Sequence, residues 1–154
     1  MSDYYVTLDK IIENHELEIV FTPKNVKEIK ITTSEVNRPG IVLTGYTDYF
    51  DPLRIQILGW TEFGFLLNMS DGERQMALGY WLEQHPAAAV VTRGLDIPDY
   101  FVDACEEYDV PLLKTKQETS AFLLRFTVRV YSLSAKAVQV RVKRLLSLLR
   151  EVTD

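Results

Sequence analysis

A single cysteine, Cys105, stands among 154 residues, so no internal disulfide staples this chain. With only two histidines, a Cys/His zinc site is also out of reach. Glycine is sparse at seven residues, and none of the eight lysines follows one. That excludes G-x-x-x-x-G-K-[ST], the cradle of backbone N–H groups that holds a nucleoside phosphate. G-x-G-x-x-G, H-E-x-x-H, G-x-S-x-G and C-x-x-C are missing too. No apolar run approaches the ~18–20 residues of a membrane span. The opening Ser2-Asp3-Tyr4-Tyr5 has neither the basic region nor the apolar run of a signal peptide. The expectation is a chain that works in a reducing, aqueous compartment, the cytoplasm, with no membrane among its partners.

What is present suits one ordinary domain: 47% hydrophobic and 25% charged residues in 17.8 kDa are enough to bury a core. A net charge of −5 argues against binding nucleic acid by bulk charge. The charge is unevenly spread, however. Residues 1–120 carry 10 Lys/Arg against 20 Asp/Glu, whereas residues 121–154 carry 7 against 2. The chain therefore divides into an acidic domain, 1–120, and a basic tail, 121–154.

Val6, Leu8, Ile11 and Ile12 behind Thr7 predict a short helix ending near His15. Leu17, Ile19 and Phe21, then Ile29 and Ile31, alternate with polar neighbours across Pro23, which reads as a hairpin or adjacent strands. Asn37-Arg38-Pro39-Gly40 breaks the chain, although Pro39 could equally open a helix. Residues 54–58 predict a strand, and Thr61 caps a helix reaching Leu67. Ser70-Asp71-Gly72-Glu73 has capping-box spacing, with Met76, Gly79, Tyr80 and Leu82 as the inward face of the helix that follows. The unbroken apolar run 87–91 suits a strand buried on both faces, as parallel pairing requires. Pro98 opens a helix with Tyr100, Phe101, Ala104, Cys105 and Tyr108 as its apolar stripe, and Val110 to Leu113 is the next strand. This strand–helix–strand unit sets the class as α/β: one small domain, a mixed or parallel sheet with flanking helices, and a helical tail. In the tail, Phe122, Leu123, Phe126, Val130 and Leu133, then Val138, Val142, Leu145 and Leu149, recur at helical spacing. Residues 127–131 are β-branched and could equally be a strand.

Few side chains suggest chemistry. His15 and His85 read as surface or capping residues, and Cys105 as a small core residue whose acidic neighbours disfavour thiolate. Glu106-Glu107 and Asp48 with Asp51 read as solvated faces or turns, and Arg141, Lys143 and Arg144 as a helix exterior. The one unusual stretch is 32–51. There Arg38 can fork onto a carboxylate or phosphate, Asn37 and Thr44 add hydrogen bonds, and Gly40 and Gly45 allow close backbone approach. Tyr46, Tyr49 and Phe50 offer stacking faces. Asn37, Arg38, Gly40, Thr44, Gly45 and Tyr46 are therefore candidates to bind a small anionic metabolite. The competing reading, which chemistry alone favours, is that the glycines shape turns and the aromatics pack.

From Ile31 through Asn37-Arg38-Pro39-Gly40 to Gly45-Tyr46 the sequence resembles the N-terminal domain of bacterial HPr kinase/phosphorylase. The resemblance continues through Asp48-Tyr49-Phe50, Arg54 to Gly59, Thr61-Glu62, Ala89 to Arg93, Ile97-Pro98, Pro111 to Leu113 and Thr119-Ser120, covering roughly residues 5–124. It implies a cytoplasmic sensor enzyme that phosphorylates a serine of the phosphocarrier HPr, reverses that reaction by phosphorolysis, and so serves carbon catabolite repression. It also implies a hexameric assembly, and an N-terminal domain like the uridine-nucleotide-binding domain of peptidoglycan (Mur) ligases, with no catalytic role. The family's P-loop, with its ATP and magnesium, belongs to a following domain, and no counterpart is found after about Leu124. The expected role is thus a non-catalytic regulatory or assembly domain. The alternatives are a stand-alone module for an anionic or nucleotide-like ligand, and self-association through the aromatic surface and the apolar tail stripe. Three origins are open for the tail: a chain cut near a domain boundary, a natural stand-alone domain, or a change of reading frame.

Overall fold

The computed structural model describes residues 4–153, leaving aside the side chains at 134 and 137. Residues 1–3 and 154, which the two sequence-assigned stretches include, lie outside it. One sheet is held between two helical layers, and its strands show why. β5 (Ile55–Leu58) and β6 (Ala88–Val91) are buried at every residue, as strands covered on both faces must be. They pair in parallel, Ile57 opposite Val90. β4 (Val36–Asn37) joins β5 in parallel, and β7 (Leu112–Lys114) joins β6 in parallel. β2 (Glu18–Phe21) closes the far edge antiparallel to β7, giving the order β2-β7-β6-β5-β4. The sheet is therefore mixed and the class is α/β, as the sequence implies.

Successive parallel strands always step to the neighbouring position in the same direction, so their connections share one face of the sheet. On that face α2 (Trp60–Leu67), α3 (Asp71–Leu82) and α4 (Asp99–Glu107) cover Leu58, Ala89, Val91 and Leu112. The alternate side chains Ile55, Ile57, Val90 and Leu113 point the other way, against α1 (Leu8–Asn14) and α5 (Thr119–Thr153).

Several local expectations change. The hairpin does not form: β3 (Lys30–Ile31) pairs with β1 (Val6–Thr7) in a separate ribbon, while β2 finds β7. A 3-10 turn at Val26–Glu28 swings the chain away, and the Leu8 amide donates to the Ile29 carbonyl at 2.9 Å, tying that return to the start of α1. Pro39 opens no α-helix; a single 3-10 turn, Val42–Thr44, ends at Gly45 with φ of 97°. α2 starts at Trp60 with Gly59 as its cap, ahead of the expected Thr61. The Ser70 capping box forms as expected, Ser70 Oγ accepting from the Glu73 amide at 3.3 Å and the Glu73 carboxylate from the Ser70 amide at 3.0 Å. The inward face of α3 is Ala77, Leu78, Trp81 and Leu82 with Gly79, leaving Met76 and Tyr80 exposed. The helix is turned so that the Trp81 ring packs 5.8 Å from that of Phe101. The β-branched stretch 127–131 is helix: Phe122, Phe126 and Val130 enter the core while Leu124 and Val128 between them are exposed, whereas a strand would turn all five to the same face. The boundary expected at 120 falls in the first turn of this helix.

Candidate functional site

Parallel strands that end together gather the residues that follow them at one edge of the sheet. Arg38 follows β4, Gly59 follows β5, Thr92 and Arg93 follow β6, and Thr119 opens α5 just beyond β7. The centre of this crown is Gly59. A Cβ placed there would lie 3.2 Å from Arg38 Nη2 and 3.7 Å from both Thr92 Oγ1 and Thr119 Oγ1. The two hydroxyls are 2.7 Å apart, and Thr92 Oγ1 also donates to the Leu58 carbonyl at 3.2 Å. A side chain at 59 would therefore wedge the crown open.

Glu62 organises one half of the crown. It is only 2% exposed, and a buried carboxylate is tolerated only when hydrogen-bonded. Arg38 supplies the fork, Nε to Oε1 at 2.8 Å and Nη2 to Oε2 at 3.0 Å, and the Gly59 amide donates to Oε2 at 2.8 Å. Burial pushes the Glu62 carboxyl up, but the Arg38 fork and the Gly59 amide outweigh it and hold it below the usual carboxylate range. The hydrogen bonds to Glu62 likewise hold Arg38 more firmly in its charged form. The pair joins the exit of β4 to the first turn of α2.

The other half carries the cation that is less tightly held. Arg93 and Gly94 have φ of 63° and 61°, and this turn is tied down by the Arg93 amide donating to the Gln117 carbonyl at 2.7 Å. The Arg93 guanidinium lies 5.0 Å above the ring of Trp60 and 3.9 Å from the Glu118 carboxylate. Trp60 is 67% exposed. An exposed indole beneath a guanidinium, beside two hydroxyls and the first turns of two helices, can receive an anionic or aromatic group.

The six candidates from the sequence are not brought into one pocket. Asn37 Oδ1 accepts from Arg54 Nη1 at 2.9 Å. Arg38 reaches the crown but spends its fork on Glu62. Gly40 sits in an open turn, and Thr44 Oγ1 donates to the Ile41 carbonyl at 2.6 Å. Gly45 lies under the Tyr80 ring, 3.3 Å from the position of a Cβ, while Tyr46 is exposed. Glu62, Thr92, Arg93 and Thr119 carry the crown instead. Their signals are a Glu three residues after Gly59 and a Thr-Arg-Gly directly after the buried strand.

Elsewhere, Cys105 is fully buried and its thiol is pushed up to about 12, by burial first and Glu106 second. His15 caps α1 as expected but is buried, not at the surface, its ring 5.7 Å from that of Phe122 and 6.0 Å from that of Phe126. Among the described residues no His, Cys, Asp and Glu group is arranged to hold a metal ion, and no helix is long and apolar enough to cross a membrane.

A layered α/β module with a polar crown at the carboxyl edge of its parallel strands is the class of protein this geometry defines. Residues 6–128 match the family model described as HPr Serine kinase N terminus, and the chain belongs to that family. It is 39% identical over 115 residues to the HPr kinase/phosphorylase of Streptococcus uberis, covering 75% of this chain and 37% of that protein. Against the enzyme of the same name from Lactiplantibacillus plantarum it is 37% identical over 122 residues, covering 79% and 39%. The chain thus spans well under half the length of these relatives. Among solved structures, the CBS and DRTGG domains of the regulatory region of Clostridium perfringens pyrophosphatase, complexed with its activator diadenosine tetraphosphate, share the fold. The TM-score is 0.55 at 14% identity, covering 80% of this chain and 46% of that one.

Proposed function

We propose that this chain serves as a regulatory, non-catalytic N-terminal domain of the HPr kinase/phosphorylase type, working in the cytoplasm with the machinery that phosphorylates and dephosphorylates a serine of HPr. Residues 1–120 supply the body together with the first turns of the 121–154 tail, whose Phe122, Phe126 and Val130 complete its core. The observation that carries this reading is the extent of the alignment: the relatives match this chain over 37–39% of their length, within a family model for the N terminus. Catalysis, with its ATP and magnesium, and the docking of HPr then belong to the stretch of the relatives beyond the match. The test is direct. The chain, incubated with HPr, magnesium and radiolabelled ATP, leaves HPr unlabelled; label on HPr overturns the proposal.

A second reading, a small-ligand site, is favoured by the crown. Arg93 is the cation there whose nearest carboxylate stands at 3.9 Å, and the regulatory region that shares the fold is complexed with a dinucleotide tetraphosphate. The site takes a nucleotide-like anion, with the base on Trp60 and phosphate at Arg93, Thr92 and Thr119. Calorimetry with diadenosine tetraphosphate, uridine nucleotides and sugar phosphates then gives heat for at least one of them, lost in Arg93→Ala. Silence with all of them removes this reading and leaves the first untouched.

A further inference from the structure

α5 runs for 35 residues, roughly 52 Å at ~1.5 Å per residue, and its two faces have different periods. Phe122, Phe126 and Val130 pack into the core. Beyond them, every described residue from Ala135 onward is exposed. An isolated solvent-exposed helix is expected to be polar all round, and this one is not. Tyr131, Ala135, Val138, Val142, Leu145, Leu149 and Val152 follow one another at alternating steps of four and three. The same repeat extends back to Val128 and Leu124. Apart from Ala135, these side chains are 46% to 83% exposed.

Steps of four and three make a period of ~3.5, the heptad repeat, with Val128, Ala135, Val142 and Leu149 at position a and Leu124, Tyr131, Val138, Leu145 and Val152 at position d. A helix packing on an irregular globular surface needs no such strict repeat; a second supercoiled helix does. The seam also faces away from the side of α5 that enters the core, so a partner helix can seat without unpacking the domain.

We infer that α5 forms a parallel, in-register, two-stranded coiled coil with a second copy of this chain over residues 131–152. Three observations select a second copy as the occupant. First, the seam is complementary to itself, each a and d layer meeting its own equivalent. Second, the charges permit it: Arg129, Lys136, Lys143 and Arg150 all fall at the outward b position. Of the two basic residues flanking the seam, Arg141 at g meets Leu146 at e, and Arg125 at e meets Ser120 at g, so no like charges oppose each other. The Arg141 guanidinium is in addition held 4.7 Å over the Tyr4 ring. Third, the area suffices. With Leu146 and Leu148 widening the seam, each helix buries roughly 500 Å², and a pair roughly 1,000 Å², the lower bound for a specific interface. Valine at a with leucine at d is also the pairing that favours two parallel strands, here at Val142 and Leu145.

This interface stands apart from the ligand reading and adds to the regulatory reading the surface on which two copies would join. Sedimentation equilibrium on the complete chain reads out the mass. The expected value is twice 17.8 kDa, with association strengthened by added salt as the basic flanks are screened. The doubly substituted Leu145→Lys, Leu149→Lys chain sediments as a monomer with unchanged near-UV circular dichroism, while Lys143→Glu at the outward position still pairs. In Leu149→Cys, mild oxidation links the two copies at the seam; Cys105 is buried and does not compete. A wild-type chain that is monomeric up to millimolar concentration overturns the inference, as does a lysine variant that still dimerises. A Leu149→Cys dimer that refuses to cross-link on oxidation overturns the parallel arrangement.

Discussion

Glu62 is a carboxylate almost wholly removed from water, and three donors decide its state. Arg38→Ala leaves that charge with the Gly59 amide alone. Breaking such a pair costs about 3–5 kcal/mol when both partners are buried. Because the Arg38 side chain is 46% exposed, screening brings the expected loss to about 2 kcal/mol, read from the urea midpoint. The pH dependence follows from the direction of the shift. A carboxyl held below its ordinary value of 4.5 contributes stability above that pH and loses it as pH falls further, so the acid limb of the wild-type stability curve below about 4.5 is shallower in Arg38→Ala. His15 acts in a different window. Burial, then Arg129 and Arg125, lower it from 6.5, so below that pH the unfolded chain binds a proton that the folded one refuses. Stability then falls on acidification from neutrality toward pH 5, and His15→Gln flattens that slope; an unchanged slope contradicts the assignment. None of this was legible locally. Glu62 and Arg38 are separated by 24 residues, and no pattern of neighbours announces their contact.

At the scale of elements, local chemistry and tertiary contact contribute in different proportions. The start of α3 is written in four consecutive residues, and Ser70→Ala removes the acceptor for the Glu73 amide, with an expected cost of about 1 kcal/mol in thermal unfolding. β6 was legible because an unbroken apolar run of strand length needs cover on both faces. The face of α3 was not. Met76 and Tyr80 satisfy helical spacing as well as Leu78 and Trp81 do, and only the position of Phe101 chooses between them. Gly45 shows the same limit. Its φ of 97° marks a turn residue, but the Tyr80 ring 3.3 Å from the place of its Cβ is a contact made across 35 positions. Gly45→Ala therefore meets both a left-handed backbone, at about 1–2 kcal/mol, and a crowded ring. A loss of less than about 0.5 kcal/mol would mean that the turn relaxes. Residues 127–131 were ambiguous because β-branching and helical spacing point opposite ways, and burial of Phe126 and Val130 with Val128 exposed between them settles it as helix.

For the whole molecule, the body and the tail are separable by burial. The last core residue on α5 is Val130, so a chain ended after Leu133 keeps the urea midpoint of the complete chain at low concentration, whereas one ended at Glu118 loses Phe122, Phe126 and Val130 from the core and unfolds. The swing from acidic to basic residues begins ahead of this division, near residue 121, so Arg125 and Arg129 lie on the part of α5 that still packs against the body. The amino-acid sequence by itself determined the α/β class, the buried parallel strands, the helical periods and the family, because each rests on spacing within a short window. Tertiary structure alone decided that β2 pairs with β7 and not with β3, that Arg38 serves Glu62, and that Gly59, Thr92, Arg93 and Thr119 meet at one edge. Those contacts join residues far apart in the chain, and their energies exist only once the strands have taken their order in the sheet.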